Sequence, residues 1–217
     1  MNLEEDTRKN KNVKPVHLRW PEIREIAEKF RSEYVDPITQ VPVPIIEIVE
    51  FKLCIQPIPE ANLFDRLNID GFLTKDLKHI CIDQRILMED RNINRLRFTY
   101  AHEVGHLVMH KDQINSCEFR TIEDWIHFYD DFSRDDLRWF ENQANEFAGR
   151  LLVPKERLMV EIDNLRLMIE KFKSKYSNND DILIETVAEK ICSTFGVSFY
   201  VIKKRIKNEN IFEELGL

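Results

Sequence analysis

An α+β fold, with a small antiparallel sheet beside a helical bundle, is the class this chain predicts. Three observations lead there. Long stretches in the middle and at the end repeat apolar residues at helical spacing. Ahead of them, short runs at residues 53–57, 71–74 and 78–83 read as strands. A chain of 217 residues that is 43% hydrophobic and 33% charged can bury a core, and fits one domain or one with an appendage.

The elements follow in order. Residues 1–14 are polar and charged with no apolar centre, which predicts a disordered tail and neither a signal peptide nor an anchor. Residues 15–40 hold an N-terminal helix and a linker. The helix runs from about Pro21, a residue suited to the first helical position, to Tyr34, with Ile23, Ile26, Ala27 and Phe30 inward. Three prolines between residues 36 and 44 mark a linker or a docked extended segment. A short helix is expected at residues 45–51, then the three strands, with 78–83 as the free edge. Phe98, Ala101, Val104, Leu107 and Val108 form an apolar stripe on the next helix, with Asn94 as N-cap and Lys111 as the cation closing it. Residues 111–132 form a long connection suited to a lid or a substrate-selecting loop. Ser133, with Asp136 three residues on, makes an approximate capping box for a helix carrying Leu137, Phe140, Ala144, Phe147, Ala148 and Leu151 inward and ending at Pro154. A long helix over residues 154–175 completes a domain expected to span residues 41–176. In residues 177–217, an apolar helix at 182–195, Gly196 as a left-handed turn and Ser198 as cap look like a helix–turn–helix, with Lys203, Lys204, Arg205 and Lys207 on its second helix. That segment reads as a DNA-binding or repressor-docking module, or as a hairpin packed on the core with solvated lysines. The second reading is preferred, because a charge run is usually an exposed face.

His102-Glu103-Val104-Gly105-His106 is the most informative stretch. On a helix, positions four apart lie one turn apart on one face, so both imidazoles can reach one tetrahedral Zn²⁺. Glu103 points to a neighbouring part of that surface, where it can act on a water as general base. Gly105 weakens a helix by about 1 kcal/mol relative to alanine, and suits close approach of another segment beside the metal. A catalytic zinc needs a third protein ligand. His110 lies about 12 Å along the axis from His102 and cannot join it on a straight helix. His127, in an aromatic and acidic loop, stays open. Glu141 is the best candidate, because it sits on a separate helix and Asn145, one turn on, can hold an imidazole in orientation. Glu146 points to a different side of that helix.

Arg97-Phe98-Thr99-Tyr100-Ala101-His102-Glu103-Val104-Gly105-His106, with His110 four residues on, then Glu141-Asn142-Gln143-Ala144-Asn145-Glu146-Phe147-Ala148 and Leu151-Leu152-Val153-Pro154, resembles the ImmA/IrrE metallopeptidase family. The resemblance spans about residues 41–207, and Gly71-Phe72-Leu73 with Ile80-Cys81-Ile82-Asp83 look like the family's edge hairpin. It implies a zincin-like core, one Zn²⁺ per chain on His102, His106 and Glu141, and Glu103 as general base. Asn145 stands where thermolysin-type zincins carry an aspartate, in keeping with the ImmA/IrrE pattern. The resemblance also implies an endopeptidase that cleaves a helix–turn–helix repressor and derepresses stress or mobile-element genes. A repressor-docking or DNA-associated regulator without turnover, and a protease of a toxin–antitoxin or phage-defence system, are the rival readings. His110, His127, Tyr129 and Arg150 are the candidates to donate to the oxyanion or touch substrate.

Composition closes off other classes. A net charge of −7 argues against non-specific DNA affinity as the main activity. No apolar run approaches the ~20 residues needed to span a bilayer. Cys54, Cys81, Cys117 and Cys192 are far apart with no C-x-x-C pair, which speaks for reduced thiols in a cytosol and against a cysteine–zinc site.

Overall fold

The computed structural model describes residue 14, residues 16–116, residue 126, residues 132–176 and residues 179–217. The expected tail, except residue 14, lies outside the described residues, as do Cys117, His127, Tyr129 and most of the 111–132 connection.

Helix α1 (Trp20–Tyr34) starts where Glu22 Oε2 accepts the Arg19 backbone N–H at 2.8 Å, and it buries Ile23, Ala27 and Phe30. A short helix, α2 (Ile45–Glu47), continues as a π-helical turn (Ile48–Lys52). That turn displaces the first expected strand. Leu53 and Ile55 donate their amides to Ile48 and Val49, so extended pairing begins only at β1 (Gln56–Glu60). Helix α3 (Leu63–Leu67), unexpected from the sequence, leads to β2 (Gly71–Leu73) and β3 (His79–Asp83), and α4 (Gln84–Met88) follows.

The sheet is mixed rather than antiparallel, and its order is β1-β3-β2. β1 runs parallel to β3 with Gln56 opposite His79, whereas β2 runs antiparallel with Gly71 opposite Ile82. The cause is the connection: α3 and β2 intervene and return the chain to the end from which β1 started. β3 is therefore the central strand and has no free edge. Among the described residues the edge strands are β1 and β2, which corrects the expectation for residues 78–83.

A 3-10 turn (Asp90–Asn92) feeds α5 (Ile93–Met109), so Asn92 and not Asn94 occupies the N-cap. Lys111 likewise opens α6 (Lys111–Ser116) instead of closing α5, because His110 already caps that helix. Helix α7 (Arg134–Leu152) begins with Ser133 Oγ accepting the Asp136 amide at 3.1 Å. It packs along both α5 and α1, placing Phe140, Phe147 and Leu151 in the core. The expected long helix divides into α8 (Lys155–Asp163) and α9 (Arg166–Lys175). Asp163 and Asn164 are weak helix formers, and Asp163 instead holds the Arg166 Nε at 2.8 Å, at the start of α9.

Helices α10 (Asp180–Phe195), α11 (Phe199–Asn208) and α12 (Ile211–Glu214) end the chain. Gly196 turns between α10 and α11 at φ 61°, in the left-handed region. Arg97 of α5 ties this turn down, donating to the Gly196 and Val43 carbonyls at 2.9 and 2.7 Å. No helix among the described residues is long and apolar enough to cross a membrane.

Candidate metal centre

Two helices build the site because each presents one polar strip on an otherwise apolar face. On α5, His102 and His106 stand one turn apart with their Nε2 atoms 3.0 Å from each other. On α7, Glu141 approaches the same point, with Oε2 3.1 Å from His102 Nε2 and Oε1 3.6 Å from His106 Nε2. One ligand atom from each of the three residues lies within 4.8 Å of the others, a grouping that could hold a metal ion.

The donor set fits that role. Asn145 Oδ1 lies 3.2 Å from His102 Nδ1, and His110 Nδ1 lies 3.0 Å from His106 Nδ1. Each ligand-bearing imidazole can therefore donate its Nδ1–H to an acceptor and keep a lone pair on Nε2, facing the common point. His110 is fully buried and stacked on Phe140, with ring centroids 4.1 Å apart. Burial, reinforced by the charge of His106, pulls its pKa down to about 2, so it stays neutral and can accept.

The electrostatics show how tightly the cluster is coupled. Burial alone would lower the His102 pKa, but the hydrogen bond and charge of Glu141, with the charge of Glu103, outweigh it and raise it to about 9. Burial works against ionised Glu141 too, yet its bonds to His102 and His106 hold its carboxyl well below the usual range. Glu103 behaves oppositely. Burial raises its pKa, against the pull of the nearby imidazoles and of the Leu73 amide, which donates to Oε2 at 2.8 Å.

Beside these groups lies a cavity of about 230 Å³. His102, Glu103, Glu141 and Asn145 line one side, and Phe98, Thr99 and residues 68–71 line the rest. The family model of the IrrE N-terminal-like domain, peptidase M78, matches residues 68–207, a stretch that begins at the cavity wall and contains all these side chains. The chain belongs to that family. A search among curated proteins returned no match. M78 membership makes this a metallopeptidase-type domain, and the grouping of His102, His106 and Glu141 lies inside it.

Within the M78 domain the expected site residues separate into groups. His102, Glu103, His106, Glu141 and Asn145 come together at one point. His110 does not face the cavity but touches His106 from behind. Arg150 is about one and a half turns beyond Asn145, near the C-terminal end of α7, paired with Glu146 at 2.7 Å and with Glu209 at 2.7 Å, so it faces away from the cavity. His127 and Tyr129 are outside the described residues. The sequence reading missed the Leu73 amide and residues 68–70. A backbone donor leaves no mark in residue types, although Gly71 was a visible clue: a Cβ there would sit 2.7 Å from the Cys81 carbonyl oxygen.

Gly105 is the contact that lets the two ligand-bearing helices approach. A Cβ at this position would lie 3.2 Å from both Ala144 Cα and Phe147 Cδ1. Gly105→Ala is therefore expected to destabilise the fold by about 1–3 kcal/mol, despite alanine's better helix propensity, because the α7 backbone must give way. Chemical denaturation checks this, and an unchanged or raised midpoint would refute the close-approach argument.

Proposed function

We propose that this chain is a zinc-dependent endopeptidase with a zincin-like core. The observation that carries the reading is the meeting of the His102 and His106 Nε2 atoms with the Glu141 carboxylate, beside a buried Glu103 that lines the same cavity. His102, His106 and Glu141 would hold one Zn²⁺, whose imidazole–carboxylate preference suits them. When bound, the ion supplies Lewis acidity, lowering the pKa of a water and polarising a carbonyl.

The remaining steps belong to the protein. Glu103 keeps Oε2 on the Leu73 amide, which fixes the carboxylate and leaves Oε1 to take a proton from the attacking water. The raised Glu103 pKa favours holding that proton and releasing it to the leaving amine. Asn145 and His110 hold the two imidazoles in their metal-facing orientation. We assign peptide pairing to the β2 edge because β2 places Gly71 in the cavity wall and Leu73 beside Glu103, whereas β3 is paired on both sides; the Leu73 amide itself is taken by Glu103.

The substrate we propose is a helix–turn–helix repressor, cleaved inside the cell. Residues 177–217 then serve as a hairpin packed on the domain of residues 41–176 and do not read DNA. Three features of α11 support this: Lys203 pairs with Glu185, Lys207 with Asp181, and Arg205 is buried. Co-expression with a candidate helix–turn–helix repressor, chosen from genes adjacent to this chain's own, with mass spectrometry of any new terminus, tests the function. An intact repressor in the presence of metal-loaded protein would refute it.

Two further results are expected. Asn145→Ala and His110→Phe should each weaken zinc binding about 10–100-fold, because each removes the acceptor that orients one ligand. Competition titration with a chelating dye measures this, and wild-type affinity in both would remove the supporting role. Zinc affinity should also rise with pH up to about 9, with proton release, because His102 carries a proton below that value in the metal-free protein and must lose it to bind. Calorimetry in buffers of different ionisation enthalpy reads the released proton; no release at pH 7 would contradict it.

A further inference from the structure

A second cavity, of about 350 Å³, lies away from the metal centre, among α1, residues 38–39 and the α7–α8 junction. Its size falls within the range of small-molecule sites. Six cationic side chains line it: Arg24, Arg31, Arg150, Lys155, Arg157 and Arg205. Only two carboxylates, Glu28 and Glu156, do so. The other acids that pair with these cations, Glu146, Glu161, Glu209 and Glu214, do not line the cavity. Every one of these cations except Arg31 is paired with a carboxylate, but four of those acids stand outside the lining, so the groups that face the cavity are mostly cationic N–H donors.

Arg31 is the informative member. It is 4% exposed and donates to three backbone carbonyls, those of Ile38 at 2.6 Å, Gln40 at 2.9 Å and Leu151 at 3.0 Å. Its charge is thus held in place by neutral acceptors, and burial pulls its pKa down to about 10. Helix α8 adds its first turn to the wall, and its N-cap, Pro154, contributes no side-chain acceptor. The first amides of a helix lack intrahelical partners and carry a partial positive charge. Ala27, Ile38 and Pro154 give the wall an apolar part as well.

We propose that this cavity binds a small organic anion, with a phosphate or carboxylate head among the guanidinium groups and an apolar body against Ala27, Ile38 and Pro154. Guanidinium groups match both heads through paired N–H donors. The site does not depend on the peptidase reading, since none of its lining residues belongs to the metal centre.

Isothermal titration of the full chain with adenosine monophosphate, benzoate and inorganic phosphate tests the proposal. Saturable binding of adenosine monophosphate assigns a phosphate head, and of benzoate a carboxylate head. The expected result is that one of them binds in the sub-millimolar range, roughly, and weakens with added salt. The double variant Arg24→Ala, Arg157→Ala should bind it at least about tenfold more weakly. These two side chains are 37% and 41% exposed, so both can be removed with little loss of packing. Hydrogen exchange on the wild-type protein gives a second readout: the ligand should protect amides in residues 24–31 and 154–158. Failure of both organic anions to saturate would overturn the proposal, as would wild-type affinity in the double variant or protection confined elsewhere. Inorganic phosphate binding as tightly as either would overturn the organic part.

Discussion

Glu103→Gln is expected to lower substrate cleavage about 10²–10⁴-fold while leaving zinc content and the unfolding midpoint unchanged. Glutamine has the same shape, and its carbonyl oxygen can still accept from the Leu73 amide, now 2.8 Å from the carboxylate. What it lacks is the capacity to take a proton. Removing the charge should not loosen the site, because burial already raises the Glu103 pKa and makes its ionised form costly there. The measurement is single-turnover cleavage with metal content read in parallel. Cleavage at the wild-type rate would eliminate Glu103 as the base. Loss of activity together with loss of zinc would mean that Glu103 acts through the ligands instead.

Arg205→Ala should cost about 3–5 kcal/mol of stability, a large share of what a domain of this size has. Arg205 is 3% exposed and bonds to Glu209 at 2.7 Å and to the Val153 carbonyl at 3.3 Å. Arg150 shares Glu209 from α7, and Lys155 reaches it from α8 at 3.7 Å. Removing Arg205 leaves Glu209 and the buried Glu146 with one cation fewer and little water in reach. Because this network joins α11 to the helix that carries Glu141, zinc affinity should fall along with stability. Urea denaturation of the metal-free protein isolates the first effect. A change below about 1 kcal/mol would mean that water reaches the network and compensates.

How much was legible from residue types varies with the range of the interaction. The facing of His102 and His106 on α5 was visible because a four-residue spacing on a helix is a local fact. Glu141 was reachable as well: its helix announces itself through Leu137, Phe140, Ala144 and Phe147, and Asn145 one turn on marks the facing strip. Gly105 was correctly suspected of admitting another segment, which proves to be Ala144 and Phe147. Errors gathered where local signals compete. At residues 48–55 a π-helical turn outlasted the expected helix and pushed the strand downstream. At Asp163 and Asn164 an apolar period that could run on was interrupted by two side chains that prefer turns.

Read alone, the chain of residues determined the two helices that carry the site, the spacing of two histidines and a glutamate, and their membership of a recognisable pattern. All of these depend on neighbours a few positions apart. Only the folded structure decided that β3 is central and β1 parallel to it, that the Leu73 amide holds Glu103, and that Arg150 serves a distant ion network. Those outcomes rest on contacts between residues tens of positions apart, such as Leu73 with Glu103 and Arg150 with Glu209. Which partner a buried polar group finds depends on how whole helices pack, and no local spacing encodes it.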